Sequence, residues 1–482
     1  MQEGGNSGKF LMPTLPSAAP LDKLVLFGFD DRAFPFQRHV QTHLIPGRNP
    51  KFVLEHGPEG SHDEVLLYYG TVIRIDDTFH IWYNGNYGPT TYGHMCYERV
   101  NCCICYATSK DGVNWEKPEL GLVEFNGSKK NNIVDLPAPD LWSTCAVLYE
   151  PEDPDPNRRF KMAYETNTRG GENVAFSPDG LRWKILEKVM PGIEMTGITK
   201  HRGVYYVNGQ GGTQRPVPGR RLVTYASTDF EHWAPCGAVG LERTHDLSGP
   251  STAADAHQYE EIHLGAGLWN RGNVIVGIYG QWHGHFSGDR RRLTLDLGLA
   301  LSYDAVHFHE PIPDFRFIPA REQPGSPWDV GPALMQGQGM ENFGDQTLYW
   351  YSLWRGTPGS GIRMVTWPRD RLGMLKPFRP SSPQTISCPI KVLEGQGKVY
   401  VNASGLGEHS QLRIGLVDEG FHPITGYSGE DAAIIAENGL RIPVKWRSSD
   451  SLLPSQGLVR LDVQFTGIRP EDCQLHAVYI GE

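Results

Sequence analysis

Two stretches of the chain set carboxylates beside groups that could share proton transfer. In Asp255-Ala-His257-Gln-Tyr-Glu260-Glu261-Ile-His263, an acid and an imidazole stand two residues apart. On an extended strand such residues share a face, so Glu261 and His263 would stand side by side. A carboxylate there can orient the imidazole and tune it for acid–base work. In Gln336-Gly-Gln338-Gly-Met-Glu341-Asn342 one acid, Glu341, lies among amides. Amides donate and accept at once, which suits a ligand rich in hydroxyl groups. The competing reading of both stretches is a set of ordinary loop acids. Trp282-His283-Gly-His285 has a spacing that could bind a metal, but spacing supplies no third ligand. Arg290-Arg291-Arg292 reads as a solvated turn, of consequence only if a ligand carries sulfate or carboxylate.

A repeated phrase points to the elements that must position these groups. It runs Ser109-Lys-Asp111-Gly112-Val-Asn-Trp115, Ser177-Pro-Asp179-Gly180-Leu-Arg-Trp183, Ser227-Thr-Asp229-Phe-Glu-His-Trp233 and Ser302-Tyr-Asp304-Ala-Val-His-Phe308, starting at intervals of 68, 50 and 75 residues. Repeats of this length in strand-rich sequence mark propellers or arrays. The Asp carboxylate can take backbone N–H bonds, a following Gly accepts positive φ, and the aromatic packs the hairpin. The phrase therefore reads as scaffold. Short aromatic and β-branched runs precede each phrase: Phe79–Tyr83, Phe160–Tyr164, Val204–Val207 and Val274–Tyr279. A fifth run, Leu348–Tyr351, leads to Met364-Val-Thr-Trp367-Pro-Arg369-Asp370-Arg371 in place of the phrase. The expected fold is all-β: a five-bladed β-propeller over residues 61–380, followed by a C-terminal β-sandwich over residues 383–482. Residues 1–60, with six prolines between Pro13 and Pro50, read as an arm packed on the propeller.

Composition narrows the rest. With 482 residues the chain exceeds one core, and 56 Gly, 36 Pro and 11% aromatic residues favour a turn-rich β protein over a helical one. A formal charge of −10 argues against a nucleic-acid partner. No run of 18 apolar residues offers a membrane-spanning helix. Cys102-Cys103-Ile-Cys105 lies in an expected strand, with Cys103 and Cys105 on one face. The spacing matches no usual zinc pattern, so buried thiols are the reading; a structural metal involving Cys96 is the alternative. The N-terminus lacks a charged n-region and an apolar stretch, so it does not read as a signal peptide. Unless a leader has been trimmed, a reducing, cytoplasmic compartment is the expectation. A homo-oligomer is compatible with the sequence.

Five blades with Ser-x-Asp-Gly-x-x-Trp turns and a trailing sandwich resemble the five-bladed β-propeller glycoside hydrolases of families 32, 43, 68, 117 and 130, with a layout most like family 32. The resemblance implies a carbohydrate substrate, no cofactor, and carboxylates from the inner strands converging in a central funnel to cleave an O-glycosidic bond. It implies an acid near Glu194 in Glu194-Met-Thr-Gly-Ile-Thr-Lys-His-Arg-Gly-Val-Tyr205-Tyr206, whose offset to the Tyr-Tyr strand is that of family 43. The first two family acids have no counterpart at their usual places. Asp63 or Glu64, with Asp140, would have to reach the funnel from loops; otherwise Glu261 and Glu341 act. Asn84, Trp142, His263, Trp282, Gln338 and Asn342 are the expected substrate contacts. The missing acids also leave open a propeller that binds glycan without cleaving it. A propeller phosphorylase would carry a basic phosphate pocket, and a sialidase-like enzyme would need six blades and an Arg trio.

Overall fold

The computed structural model describes residues 23–91, 98–138, 141–166, 171–191, 193–211, 220–243, 260–284, 293–320, 333–353, 360–391, 397–452 and 457–481. Among them there is no α-helix. Among the described residues, three four-stranded antiparallel sheets stand beside an eight-stranded sheet in which two four-stranded antiparallel meanders meet at one parallel pair; we number the five meanders I to V by their innermost strands. Their innermost strands are Val65–Ile75, Leu141–Tyr149, Glu194–His201, Glu260–Asn270 and Leu334–Phe343. Each innermost strand touches the next in order, and V returns to I, so the contacts close on themselves. Strand V pairs parallel with strand I at Gln338 and Thr71, so both run the same way along the ring. The outermost strand of sheet V is Arg48–Glu55, drawn from ahead of sheet I, so one sheet is built from two distant parts of the chain.

Every innermost strand departs from simple pairing at a comparable position. Strand I loses register between Leu67 and Thr71, III between Met195 and Gly197, IV between His263 and Ala266, and V between Gln336 and Met340. In sheet II the break falls opposite Tyr164 and Thr166. Such bulges bend a strand and free backbone groups from the ladder. Polar side chains take up those groups across the sheet boundaries. Asn208 accepts from Ala266 N (2.8 Å) and donates to its carbonyl (3.1 Å). Gln336 donates to the carbonyls of His263 (2.5 Å) and Gly265 (3.0 Å). Thr71 Oγ1 accepts from Val147 N (3.0 Å), and Gln338 Oε1 accepts from Ile198 N (2.5 Å). Glycine permits the close approach: a β-carbon on Gly197 would lie 2.0 Å from the Ala266 carbonyl, and one on Gly337 would lie 1.9 Å from the Tyr68 ring.

The Ser-x-Asp phrases are scaffold, as expected, and they also tie neighbouring sheets. In each, the Asp accepts two backbone N–H bonds, as Asp111 does from Val113 and Asn114, both at 2.8 Å. The residue after Asp takes positive φ: 74° at Gly112 and Gly180, 66° at Phe230 and 65° at Ala305. At Gly112 and Gly180 its carbonyl points at another sheet. Trp350 Nε1 of sheet V donates to Gly112 O (2.9 Å), and Trp82 Nε1 of sheet I donates to Gly180 O (2.8 Å).

The remaining strands form two further sheets of six strands each, with one continuous apolar core that includes Leu412, Leu461, Leu475 and Trp446. These sheets are not made of the C-terminal segment alone. Lys23–Phe27 pairs with Gln474–Gly481, Phe36–Arg38 with Gln384–Ile386, and Val40–Leu44 with Gly373–Pro377. Residues 23–44 therefore enter the C-terminal sheets, while Arg48–Glu55 completes sheet V. Their strand character was not legible between the prolines, because their partners lie more than 300 residues away.

Candidate functional site

The N-terminal ends of innermost strands III and IV bring two of the expected acids to one mouth of the ring. Glu194 is the first residue of strand III and is exposed. Glu261 is the second residue of strand IV and is buried. Gly197 meets Ala266 across the boundary. Glu194 lies three residues before Gly197. Glu261 lies five before Ala266, and two of those five, Leu264 and Gly265, belong to the bulge. Both acids thus stand near the N-terminal ends of adjacent innermost strands. A single amide links the strands: Gln210 Nε2 donates to Glu194 (2.7 Å), and Gln210 Oε1 accepts from Leu264 N (3.2 Å).

Strand pairing fixes the surroundings of Glu261. It lies directly opposite Trp282, and Glu260 directly opposite His283. The guanidinium of Arg220 lies 3.6 Å from the Glu261 carboxylate and 4.2 Å above the Trp282 ring. The His263 ring packs on Trp282 at 5.6 Å, tilted by 34°. Buried Arg243 donates to the Glu261 carbonyl (2.9 Å), to Glu260 (2.9 Å) and to Asp314 (3.1 Å). His283 bridges Glu260 (2.6 Å) and Asp296 (2.9 Å), and Arg316 lies 3.1 Å from Asp296. Burial disfavours the His283 imidazolium, but the Asp296 and Glu260 carboxylates outweigh it and raise its pKa above the usual histidine value. Arg220, Gln210 and Arg243 escaped the sequence reading. The one signal for Arg220 was its place at the start of a strand, Arg221–Ser227, that begins at this mouth.

Several buried polar atoms on the innermost strands and their neighbours make no hydrogen bond: Asn84 Nδ2, Thr144 Oγ1, Thr196 Oγ1 and Gln336 Oε1. Natively buried polar groups are rarely left so, and they gather where a ligand or water can serve them. Asn84 Oδ1 accepts a weak bond from Cys145 Sγ (3.9 Å), which places Asn84 at the boundary of sheets I and II.

The other expected residues are engaged within the fold or lie further along the ring. Asp63 is buried on sheet I against Lys117 (2.6 Å) and the Tyr83 hydroxyl (3.1 Å). Burial would raise its pKa, but Lys117 carries it below the usual carboxylate range. Glu64 accepts from Gly60 N (2.9 Å) and Gly88 N (3.2 Å), holding a loop and a strand of sheet I. Glu341 is the eighth residue of strand V, three beyond Gln338, which bonds Ile198; Glu194 is four residues before Ile198. At about 3.3 Å per residue this puts Glu341 roughly 20 Å further along the ring, at the other end. Asn342 is there too, donating to Asp370 (3.0 Å) and accepting from Thr347 (2.6 Å). Gln338 lies mid-ring. The Trp142 side chain, Asp140, His285, Cys96 and Arg290 to Arg292 lie outside the described residues. The described cysteines are free, and Cys103 and Cys105 share a face with sulfurs 3.7 Å apart. The one set of side chains gathered like metal ligands, among the described residues, is Asp30, Asp31 and His309. Asp30 there already accepts from the Tyr303 hydroxyl and from Arg32 N.

No family model and no curated protein matches the chain. Solved structures do. A glycosyl hydrolase from Bacteroides ovatus is 17% identical, with 64% of this chain and 85% of that one covered and a TM-score of 0.42. The β-1,2-mannobiose phosphorylase of Listeria innocua, in complex with β-1,2-mannobiose, is 12% identical, with coverages of 64% and 91% and a TM-score of 0.41. A structure described for the GH130 family of mannoside phosphorylases, which contains glycoside hydrolases that target β-1,2 mannosidic linkages in Candida mannan, is 16% identical, with coverages of 63% and 85% and a TM-score of 0.41. At these values no residue's role passes from them to this chain. Those structures are described as glycoside hydrolases and a phosphorylase.

Proposed function

We propose that the chain is a glycan-processing enzyme, a five-bladed β-propeller with a two-sheet β-sandwich beside it, and that it hydrolyses an O-glycosidic bond at the mouth formed by sheets III and IV. The observation that carries this reading is the pair Glu194 and Glu261 near the N-terminal ends of adjacent innermost strands. Breaking a glycosidic bond needs a proton for the departing oxygen and a carboxylate near the anomeric carbon. Glu194, exposed and steadied by Gln210, gives its proton to the leaving oxygen as the C–O bond breaks. Glu261, with the Arg220 cation beside it, takes the proton of the attacking water. Trp282 and His263 pack together behind Glu261 and fix its setting.

One observation favours phosphorolysis as a second reading: Arg220 Nη1 is buried at the mouth without a hydrogen bond. A guanidinium so placed suits a phosphate oxygen. Incubating the protein with a panel of oligosaccharides, with and without inorganic phosphate, separates the readings. Free sugar formed without phosphate supports hydrolysis. Sugar 1-phosphate formed only with phosphate supports the second reading. Saturable binding with no product in either condition overturns both in favour of a binding propeller.

A further inference from the structure

At the opposite end of the ring, a cavity of about 580 Å³ opens between sheets IV and V and one of the two C-terminal sheets. That volume lies within the usual range of small-ligand sites, about 300–1,000 Å³, and domain junctions are a favoured place for them. Four cations line it, Lys23, Arg271, Arg369 and Arg441, against two acids, Asp345 and Asp370. The whole chain carries −10, so this concentration of positive charge is local.

The acids offset that charge only in part. Asp370 is buried and fully occupied: it takes Arg271, Asn342 (3.0 Å) and the Tyr479 hydroxyl (2.9 Å). Asp345 is exposed and offers its carbonyl, not its carboxylate, to Arg369 N (2.8 Å). Glu341 faces Arg271 and Arg369 from the ring side, and burial raises its pKa against the pull of Arg74 and those arginines. Two guanidinium planes are set in advance. Arg441 stacks over Tyr400 at 4.2 Å, and Arg369 Nη1 donates to Gly344 O (3.0 Å). No carboxylate pairs with Lys23, Arg369 or Arg441 among the described residues, and pre-set guanidinium forks are the geometry that binds oxyanions bidentately.

We propose that this cavity is a second binding site, separate from the mouth, for a small oxyanion-bearing ligand, its carboxylate or phosphate held by Arg369 and Arg441. Calorimetric titration of the full chain at low ionic strength, with D-glucuronate in one arm and inorganic phosphate in the other, tests it. We expect one saturable site for at least one of the two, and the arm that binds tells an acidic sugar from a free anion. Arg441→Gln, at an exposed residue whose guanidinium stacks on Tyr400, should weaken binding at least tenfold, and adding Arg369→Gln should abolish it. Thermal unfolding of both variants checks that they fold. Glu194→Gln should bind as the unaltered chain does. The proposal is overturned if neither anion binds saturably, if binding is unchanged in Arg441→Gln, or if it is lost in Arg220→Gln instead, which would assign it to the mouth.

Discussion

Asp63 and His283 show how the same residue types serve scaffold and site. Asp63 sits almost fully buried beside Lys117, and its pKa is depressed. A depressed carboxyl stabilises the fold above its unfolded value and loses that contribution as pH falls through the folded value. Lys117→Met leaves a buried carboxylate without its cation. Breaking such a pair costs about 3–5 kcal/mol when fully buried; Lys117 is partly exposed, so about 2–3 kcal/mol is expected from urea unfolding at pH 7. Catalysis should persist in the folded fraction. His283 has the opposite sign. Its pKa is raised by Asp296 and Glu260, so its stabilisation is complete below the unfolded value of about 6.5 and fades as pH rises through the higher folded value. His283→Gln should therefore flatten the fall in stability on the alkaline side of pH 6.5; an identical slope in both proteins would remove the Glu260–His283–Asp296 bridge from the account. Residue chemistry alone could not have sorted these groups. Glu261 and His263 share a face, as period-two alternation required, but Glu341, expected as a second carboxylate among sugar-binding amides, does not join them. Strand direction sends Glu341 to the far end.

At the scale of elements, the phrases and the bulges hold the sheets together. The phrases were legible because their turn chemistry is local: Ser, Asp and a positive-φ residue within four positions. The bulges were not, because they depend on contacts between strands far apart in sequence. Gly197 records one of them, since a β-carbon there would lie 2.0 Å from a backbone carbonyl that has no room to move. Gly197→Ala should destabilise the protein by about 2–3 kcal/mol, the scale of overpacking and backbone strain. Gly407→Ala, with no neighbour within 4 Å, is the control and should change the urea midpoint little. Phe230 weighs two terms. Its positive φ of 66° costs about 1 kcal/mol, which glycine would relieve. Its ring packs on Phe176, Tyr205 and Trp233, and losing a buried aromatic costs about 3–5 kcal/mol. Packing wins, so Phe230→Gly should be destabilising.

At the scale of the whole molecule, Arg48–Glu55 supplies the outermost strand of sheet V, and the segment just before it is woven into the C-terminal sheets. The two parts are thereby tied at both ends of the chain, which the sequence reading of an arm and a separate module did not foresee. His476 lies buried in this weave: Nδ1 lies 2.9 Å from the Gly373 carbonyl, and Nε2 lies 2.8 Å from the Ser404 hydroxyl. Burial pushes its pKa down to about 4, the Gly373 bond opposing. Its contribution is full above about pH 6.5 and is lost as pH falls towards 4, a difference of about 3 kcal/mol. His476→Gln should remove that part of the acid sensitivity seen by denaturant unfolding.

The central claim is that Glu194 protonates the departing oxygen at the mouth. Its direct measurement compares the Glu194→Gln variant with the unaltered protein on glycosides of good and poor leaving groups, once the oligosaccharide panel has named the sugar. The account predicts a loss of at least 100-fold, the scale of a missing general acid, on the unactivated glycoside, and near-normal turnover on a dinitrophenyl glycoside that needs no proton. Undiminished turnover on both substrates, or an equal loss on both, would contradict it.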